Sequence, residues 1–356
     1  MTQSTGVIGS GNIARALAAQ LVSTGHEVRM YARDPAKLAA VTESGAINAG
    51  GMLEGSFPIA EVTGDPGRLA ETCPVIFVAT VTTAYPDVAA TLAPVLRDGQ
   101  LVVTFSSKLF GSVDFSRVLR ERGAPESVEV VETDCILAAR TMPDDSVLMA
   151  RKAWNLLGSP RRENVDKHLP TLAKVFPGLE PATNLVHRGV SDFGALAHVV
   201  ISYTNLSKID RAEKVLFYEE GLSERTIRLL EATEREFRAV AAAYDADLLP
   251  MPEILDRYYG ADTTDLLTAM RSVLVYRGIP APTSVDDRLL REDVVNTLVP
   301  LEQLAQRADV PTPMVSALIS LAATLAGEDF RTTGRTLERL GLADKDHAGL
   351  LEWLSH

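Results

Sequence analysis

The chain has 356 residues, more than one hydrophobic core usually organises, so we expect two domains. Its 35 basic and 47 acidic side chains give a net charge of −12, which argues against nucleic acid or an anionic membrane surface as a partner. With 46% hydrophobic and 23% charged residues, the composition is typical of a folded, soluble protein and not of a disordered one.

Cysteine content and hydropathy bear on where the protein works. Two cysteines, Cys73 and Cys135, are too few for a disulfide scaffold or a thiolate metal cluster, and they fit a reducing compartment. Residues 1–5 show no basic and apolar leader. The most apolar late stretch, residues 314–326, is too short for a membrane span and has the spacing of a core helix. We therefore expect a cytoplasmic protein without a membrane partner.

The first half of the chain alternates strand and helix patterns. Residues 6–9 are typical of the end of a buried strand, residues 12–24 have the apolar spacing of a one-sided helix, and residues 26–33 alternate as a second strand. Further strands are predicted at residues 74–79, 100–105 and 128–132, with helical segments at residues 85–96 and 116–122. This alternation predicts an α/β domain of the Rossmann type, with a doubly wound parallel sheet, over residues 1–184.

The second half is dominated by helical periods. Ser223 is a candidate cap for a helix that runs to Tyr244, and Thr312 with Pro313 is a typical helix start. Strand patterns largely disappear after about residue 185. The sequence therefore predicts a mostly α-helical second domain over residues 185–356.

A G-x-G-x-x-A fingerprint lies between the first predicted strand and the first predicted helix. Its residues are Gly9, Ser10, Gly11, Asn12, Ile13 and Ala14. Gly9 permits a tight turn, Gly11 lets a pyrophosphate approach the backbone, and Ala14 keeps the helix close to the sheet. The motif predicts a dinucleotide bound at the start of the helix, where the helix dipole favours negative charge.

The end of the second strand indicates which dinucleotide is bound. In NAD-binding proteins an acidic side chain at the end of the second strand binds the ribose. This chain has no acidic residue at that position, and Arg33 follows, with Lys37 close behind. Arg33 suits the 2′-phosphate of NADP, which makes NADP the predicted cofactor. Asp34 is close enough to bind a ribose instead, so NAD remains the alternative.

Two polar residues in the helical half admit more than one interpretation. His198 lies in an apolar stretch, where a histidine is often simply a hydrogen-bonded core residue. Asp293 lies in the charged run of residues 286–295, where an acid can cap the following helix. The sequence shows neither an H-E-x-x-H nor a C-x-x-C motif, and we predict no metal site.

Together these motifs resemble, in order and over nearly the full length, the octopine/nopaline (opine) dehydrogenases. The further motifs that carry the resemblance are Gly99-Gln-Leu-Val-Val, Phe110-Gly-Ser, the segment from Glu132-Thr133 to Arg140, His198 followed by Asn205, Phe217-Tyr-Glu-Glu-Gly, Arg288-Leu-Leu-Arg-Glu-Asp-Val and Val310-Pro-Thr-Pro. The family often has Pro where this chain has Val199, and His where it has Tyr85.

The resemblance implies an enzyme and assigns roles to its residues. It implies that His198 and Asp293 form a catalytic dyad and that Arg288 binds the carboxylate of a keto acid. The implied reaction is the NAD(P)H-dependent reductive condensation of an amine or amino acid with an α-keto acid, an oxidoreduction at a CH–NH group. The substrates are expected between the domains.

Two other functions remain open at this point. One is an NADP-dependent 2-keto acid reductase that needs no amine, and the other is an inactive dinucleotide-binding sensor or partner protein. The helical half shows no committed oligomer interface, and we expect a monomer or a homodimer.

Overall fold

The computed structural model describes residues 3–284 and 287–356, except for the side chains of residues 288–290. The chain packs into two units. The first contains Gly111–Pro181 and the chain up to Ser107, and the second contains Lys108–Phe110 and Ala182–His356. The chain divides after Pro181, near the predicted boundary at residue 184, but the inclusion of Lys108–Phe110 in the second unit had no counterpart in the sequence pattern.

The strands all belong to the first unit. They are β1 (Ser4–Ile8), β2 (Glu27–Tyr31), β3 (Ala46–Gly51), β4 (Gly55–Pro58), β5 (Glu61–Thr63), β6 (Val75–Val78), β7 (Leu101–Phe105), β8 (Glu129–Thr133), β9 (Leu137–Thr141), β10 (Val147–Arg151), β11 (Asn155–Gly158) and β12 (Leu179–Pro181). Within the described residues, the main sheet has eight strands in the order β12-β11-β8-β7-β6-β1-β2-β5.

This main sheet is parallel except where β11 pairs antiparallel with β8. The chain leaves β1 for β2 on one side and reaches β6 on the other, so the strand order reverses at β1. Ligands of doubly wound sheets bind at the carboxyl ends of the strands at such a switch point. The predicted Rossmann-type sheet is confirmed, and the turn after β1 lies at its switch point.

The sequence patterns missed a smaller sheet of four strands in the described part of the chain, in the order β4-β3-β10-β9. Its strand β3 reads AINAGG and β4 reads GSFP, so neither shows the β-branched, alternating pattern of a strand. Strand β4 instead pairs with β3, and β3 pairs with residues 147–149 of β10, far along the chain.

The helices of the first unit are α1 (Asn12–Ser23), α2 (Ala39–Ser44), α3 (Pro66–Thr72), α4 (Tyr85–Leu92), α5 (Gly111–Glu121) and α6 (Arg162–Val175). Those of the second unit are α7 (Leu185–Val190), α8 (Phe193–Thr204), α9 (Leu206–Asp210), α10 (Glu224–Ala243), α11 (Met251–Tyr259), α12 (Leu266–Ser272), α13 (Arg288–Asp293), α14 (Val299–Arg307), α15 (Pro313–Ala326), α16 (Phe330–Thr333) and α17 (His347–Leu354). A π-helical turn, Val294–Leu298, joins α13 to α14.

The helical second domain is confirmed, and its predicted starts are accurate. The hydroxyl of Ser223 accepts a hydrogen bond from the backbone N–H of Thr226 and caps α10, and Pro313 is the first residue of α15. Helix α8 is buried along most of its length and packs against α10 and α13. Among the described helices, none is long and apolar enough to cross a membrane.

Candidate active site

The turn between β1 and α1 has the geometry that the glycine fingerprint requires. Gly9 has a φ of +135°, and a Cβ atom there would lie 2.5 Å from the carbonyl oxygen of Ala79, so only glycine fits. A Cβ atom on Gly11 would meet no atom within 4 Å, which leaves open space beside the start of α1. Ala14 is fully buried, and a Cβ atom on Gly9 would lie 3.0 Å from the Cβ of Ala14.

This turn fits a pyrophosphate. Gly11 precedes the first helical residue of α1, and in the described structure no side chain caps the helix there. The first N–H groups of a helix need acceptors, and a phosphate supplies them. Of the other fingerprint residues, Ser10 and Ile13 are half-buried, and the exposed Asn12 accepts a hydrogen bond from the Thr141 hydroxyl at 2.6 Å.

The two candidates for cofactor selectivity lie just after β2. Arg33 is exposed. The carboxylate of Asp34 accepts a hydrogen bond from the N–H of Ala36 at 3.2 Å and caps a short 3-10 helix, Pro35–Leu38. Lys37 lies in this 3-10 helix and is exposed. Since Asp34 already has a structural role, Arg33 is the better placed of the two to meet a 2′-phosphate, and its role remains a prediction.

The structure brings His198 of α8 and Asp293 of α13 into contact. The Nδ1 atom of His198 lies 3.0 Å from Oδ2 of Asp293, and its Nε2 atom lies 2.9 Å from the hydroxyl of Tyr218. The histidine side chain is 20% exposed, whereas the aspartate is 2% exposed. With Nδ1–H donating to the carboxylate and the Tyr218 hydroxyl donating to Nε2, the contacts favour one neutral tautomer of the ring.

The structure bears on the local interpretations of these two residues, whose catalytic roles remain predictions. His198 has a carboxylate partner, and the side chain of Asp293 does not cap the π-helical turn that follows it. The steric space for the ring comes from Gly194, because a Cβ there would lie 2.9 Å from Cε1 of His198.

A buried lysine that the sequence analysis missed completes the cluster. The Lys108 ammonium lies 2.7 Å from Oδ1 of Asp293 and 2.6 Å from Oδ2 of Asp192. All three side chains are at most 8% exposed. Burial by itself would raise the pKa of Asp293, but the charge of Lys108 and the hydrogen bond with His198 outweigh it, and the pKa lies below its usual value. Asp293 is therefore a carboxylate at neutral pH.

Asp192 and Lys108 left different signals in the sequence. Asp192 is the N-cap of α8, and its Oδ1 accepts from the N–H of Gly194 at 2.9 Å, a role that its position before an apolar helix could have revealed. Lys108 is a single cation within the apolar stretch of residues 101–113, and no motif marks it.

Arg288, the predicted carboxylate-binding residue, is the first residue of α13, the helix that ends at Asp293. Its side chain lies outside the described part of the structure, and its role remains a prediction. Tyr85 is fully buried and packs edge to face against Phe115, as a core residue does. In the described residues, no group of three or more His, Cys, Asp or Glu side chains could hold a metal ion.

The comparison with known families covers both units. Residues 181–326 match the model of the NAD/NADP octopine/nopaline dehydrogenase alpha-helical domain. Residues 4–108 match the model of the coenzyme F420-dependent NADP oxidoreductases.

Individual relatives are similar to the chain over different lengths. An opine dehydrogenase of Arthrobacter sp. (strain 1C) is 29% identical over 347 residues, which is 97% of this chain and 96% of the relative. An opine dehydrogenase of Haliotis discus hannai is 34% identical over 139 residues, which covers 33% of this chain and 34% of the relative.

Solved structures share the fold. Octopine dehydrogenase with NADH and L-arginine superposes with a TM-score of 0.77 at 20% identity, covering 100% of this chain and 99% of that one. NADP+-bound yersinopine dehydrogenase gives a TM-score of 0.72 at 16% identity, with 99% and 98% covered.

Proposed function

Since the chain is related to the octopine/nopaline (opine) dehydrogenases, as its sequence motifs predicted, we propose that it is an NAD(P)H-dependent opine-type dehydrogenase. An amine or amino acid and an α-keto acid condense to an imine with loss of water, and reduction of the imine carbon gives an N-substituted amino acid. The observation that carries the proposal is the contact of 3.0 Å between His198 and the ionised Asp293.

The first unit holds the cofactor. The open space beside Gly11 and the N–H groups at the start of α1 receive the pyrophosphate, and Arg33 binds the 2′-phosphate of NADP. When bound, the reduced nicotinamide supplies the hydride. NADP is the proposed cofactor, and both NADH-bound and NADP+-bound proteins share the fold.

The second unit supplies acid–base chemistry. With Nδ1–H directed at Asp293, the Nε2 atom of His198 is the position that takes up a proton. The carboxylate stabilises the resulting imidazolium. The ring can then return the proton to the hydroxyl group that leaves as water, or to the oxygen atom of the carbonyl or the nitrogen atom of the imine. A positioned acid–base group of this kind contributes about 10²- to 10⁴-fold in rate.

Substrate orientation is assigned to Arg288. A guanidinium forms two parallel hydrogen bonds with a carboxylate and so fixes the plane of an α-keto acid. Arg288 and Asp293 belong to the same helix, α13, which links the proposed substrate-binding residue to the dyad through one rigid element.

The proposal is tested with a panel of amines and α-keto acids, by following the oxidation of NADPH and NADH. Oxidation that requires both an amine and a keto acid supports it. Oxidation with a keto acid alone would show the 2-keto acid reductase instead, and cofactor binding without oxidation of any substrate pair would favour the inactive sensor. The His198→Ala variant should lose at least about 100-fold in kcat. His168→Ala, which removes a half-buried partner of Glu129 in the first unit, serves as the matched control.

The cellular setting is part of the same proposal. We assign the enzyme to the cytoplasm because both cysteines are free thiols, and we assign it as a monomer or homodimer that acts on small molecules. Light scattering of the purified chain measures the oligomeric state.

A further inference from the structure

We propose that Lys108 is a positioning residue of the His198–Asp293 pair, which it serves by tying Asp293 to Asp192 at the start of the helix that carries the histidine. The inference rests on the proposed function for its kinetic consequences. Whether the Lys108 cation orients the carboxylate toward the imidazole can also be tested on the protein without substrates.

The charged groups of Lys108, Asp192 and Asp293 form a bridge. The Lys108 ammonium bridges one oxygen of each carboxylate, at 2.6 Å from Asp192 and 2.7 Å from Asp293. The second oxygen of Asp293 is thereby directed at Nδ1 of His198, at 3.0 Å. A carboxylate held at both oxygens cannot rotate, so the histidine faces an acceptor of fixed position.

Asp192 connects Lys108 to helix α8, which carries His198. The other oxygen of Asp192 caps α8 through the N–H of Gly194, and His198 follows six residues after Asp192. Lys108 thus joins the N-cap of the helix that carries the histidine to the last residue of the helix that carries its aspartate. Both partners of the dyad are fixed to one ammonium group.

The backbone around Lys108 has an unusual conformation. Ser106, Lys108 and Phe110 have φ values of 91°, 58° and 62°, a conformation that residues with a side chain rarely adopt. The backbone of Leu109 is held at both groups, since its N–H donates to the carbonyl of Asn296 and its carbonyl accepts from the Arg335 guanidinium at 2.8 Å. Strained backbone that is fixed in this way is concentrated at functional sites.

The ammonium of Lys108 balances only one of the two carboxylate charges next to it. Asp192, Asp293 and Lys108 together leave one net negative charge beside His198, whereas the two carboxylates alone would leave two. Asp293 and Tyr218 are titratable groups that contact the ring, with Lys108 and Asp192 behind Asp293. Removing the ammonium therefore leaves two like charges close together and frees the Asp293 carboxylate to move.

The test compares Lys108→Met, which keeps much of the length and removes the charge, with Arg331→Met as the matched control. Arg331 pairs with the buried carboxylate of Glu302 in the same unit and takes no part in the dyad. We expect Lys108→Met to lower kcat by about 10- to 100-fold with KM values for both substrates within about threefold. Arg331→Met should leave kcat unchanged while losing comparable stability.

A readout without turnover separates this inference from the proposed reaction. Nitrogen NMR of the full chain labelled at histidine, with the His198 signal assigned by its loss in His198→Ala, reports which ring nitrogen carries the proton. We expect a ring protonated at Nδ1 in the wild type, and in Lys108→Met a ring that exchanges between its two neutral tautomers. This result stands even if no amine and keto acid pair is turned over.

The outcomes that decide the inference are distinct. A folded Lys108→Met protein with kcat within about threefold of wild type and an unchanged His198 signal would overturn it. If that variant does not fold, Asp192→Asn decides, because asparagine keeps the helix cap and removes one of the two carboxylates that hold Lys108. A fall in kcat with an altered His198 signal supports the inference, and unchanged values for both overturn it.

Discussion

Replacing Asp293 by asparagine keeps the shape of the side chain and removes its charge. An amide can present its NH₂ group to Nδ1 of His198, which reverses the direction of the hydrogen bond that is 3.0 Å long in the structure. The ring then carries its proton on Nε2, where it can no longer accept one. We expect kcat to fall by about 10²- to 10⁴-fold, the contribution of a positioned acid–base group, equivalent to about 3–5 kcal/mol.

The same substitution has a limited effect on stability, because Lys108 keeps its second carboxylate, Asp192, at 2.6 Å. Losing one charged hydrogen bond from a buried cluster costs about 1.5–3 kcal/mol. The pKa of Asp293 is lowered in the folded protein by Lys108 and His198 despite its burial, so its stabilisation is present above the ordinary pKa of an aspartate and is lost as the pH falls through the lower, folded pKa. The asparagine variant lacks this acid-dependent component.

Steady-state kinetics and urea unfolding measure the two effects separately. Far-ultraviolet circular dichroism must show that Asp293→Asn is folded before the rates are compared. A folded variant whose kcat stays within tenfold of wild type would refute the assignment of Asp293 as the partner that sets the histidine tautomer.

Three further predictions concern the neighbouring residues. Gly194→Ala should lower kcat at least tenfold with α8 intact, because its Cβ would lie 2.9 Å from Cε1 of His198, and a normal kcat would contradict the inferred crowding. Tyr218→Phe removes the donor to Nε2, and urea unfolding should show a loss of about 0.5–1.5 kcal/mol, whereas unchanged stability would argue against that hydrogen bond. Arg33→Ala should weaken NADPH binding by roughly 10- to 100-fold and affect NADH much less, measured by titration. Wild-type affinity for NADH equal to or tighter than that for NADPH would contradict the assignment of Arg33.

The first unit shows how far local pattern reaches. The strand before Gly9, the helix after Gly11 and the strand that ends before Arg33 follow from spacing within a few residues, and the structure places each of them as predicted. The four-stranded sheet was missed because β3 and β4 contain glycine-rich, weakly alternating segments, and β3 joins the rest of this sheet through β10, where Val147 lies 98 residues after its partner Ala49.

The dyad shows the same limit. His198 and Asp293 were identified from motifs similar to those of a family, since their separation of 95 residues leaves no local trace of their contact. Lys108 was missed for a related reason, because a lysine in an apolar stretch has no motif, and its partner Asp192 is 84 residues away.

By itself, the sequence determined the class of the fold and the cofactor turn, because these depend on residue type and short spacing, whereas the candidate dyad was identified through the resemblance to a family. Only the tertiary structure decided that Asp293 faces His198 instead of capping a helix, that Tyr218 lies on the other ring nitrogen, and that Lys108 bridges two buried carboxylates. The physical reason is that burying a charge is costly unless partners surround it, and those partners come from segments that the chain brings together only when it folds.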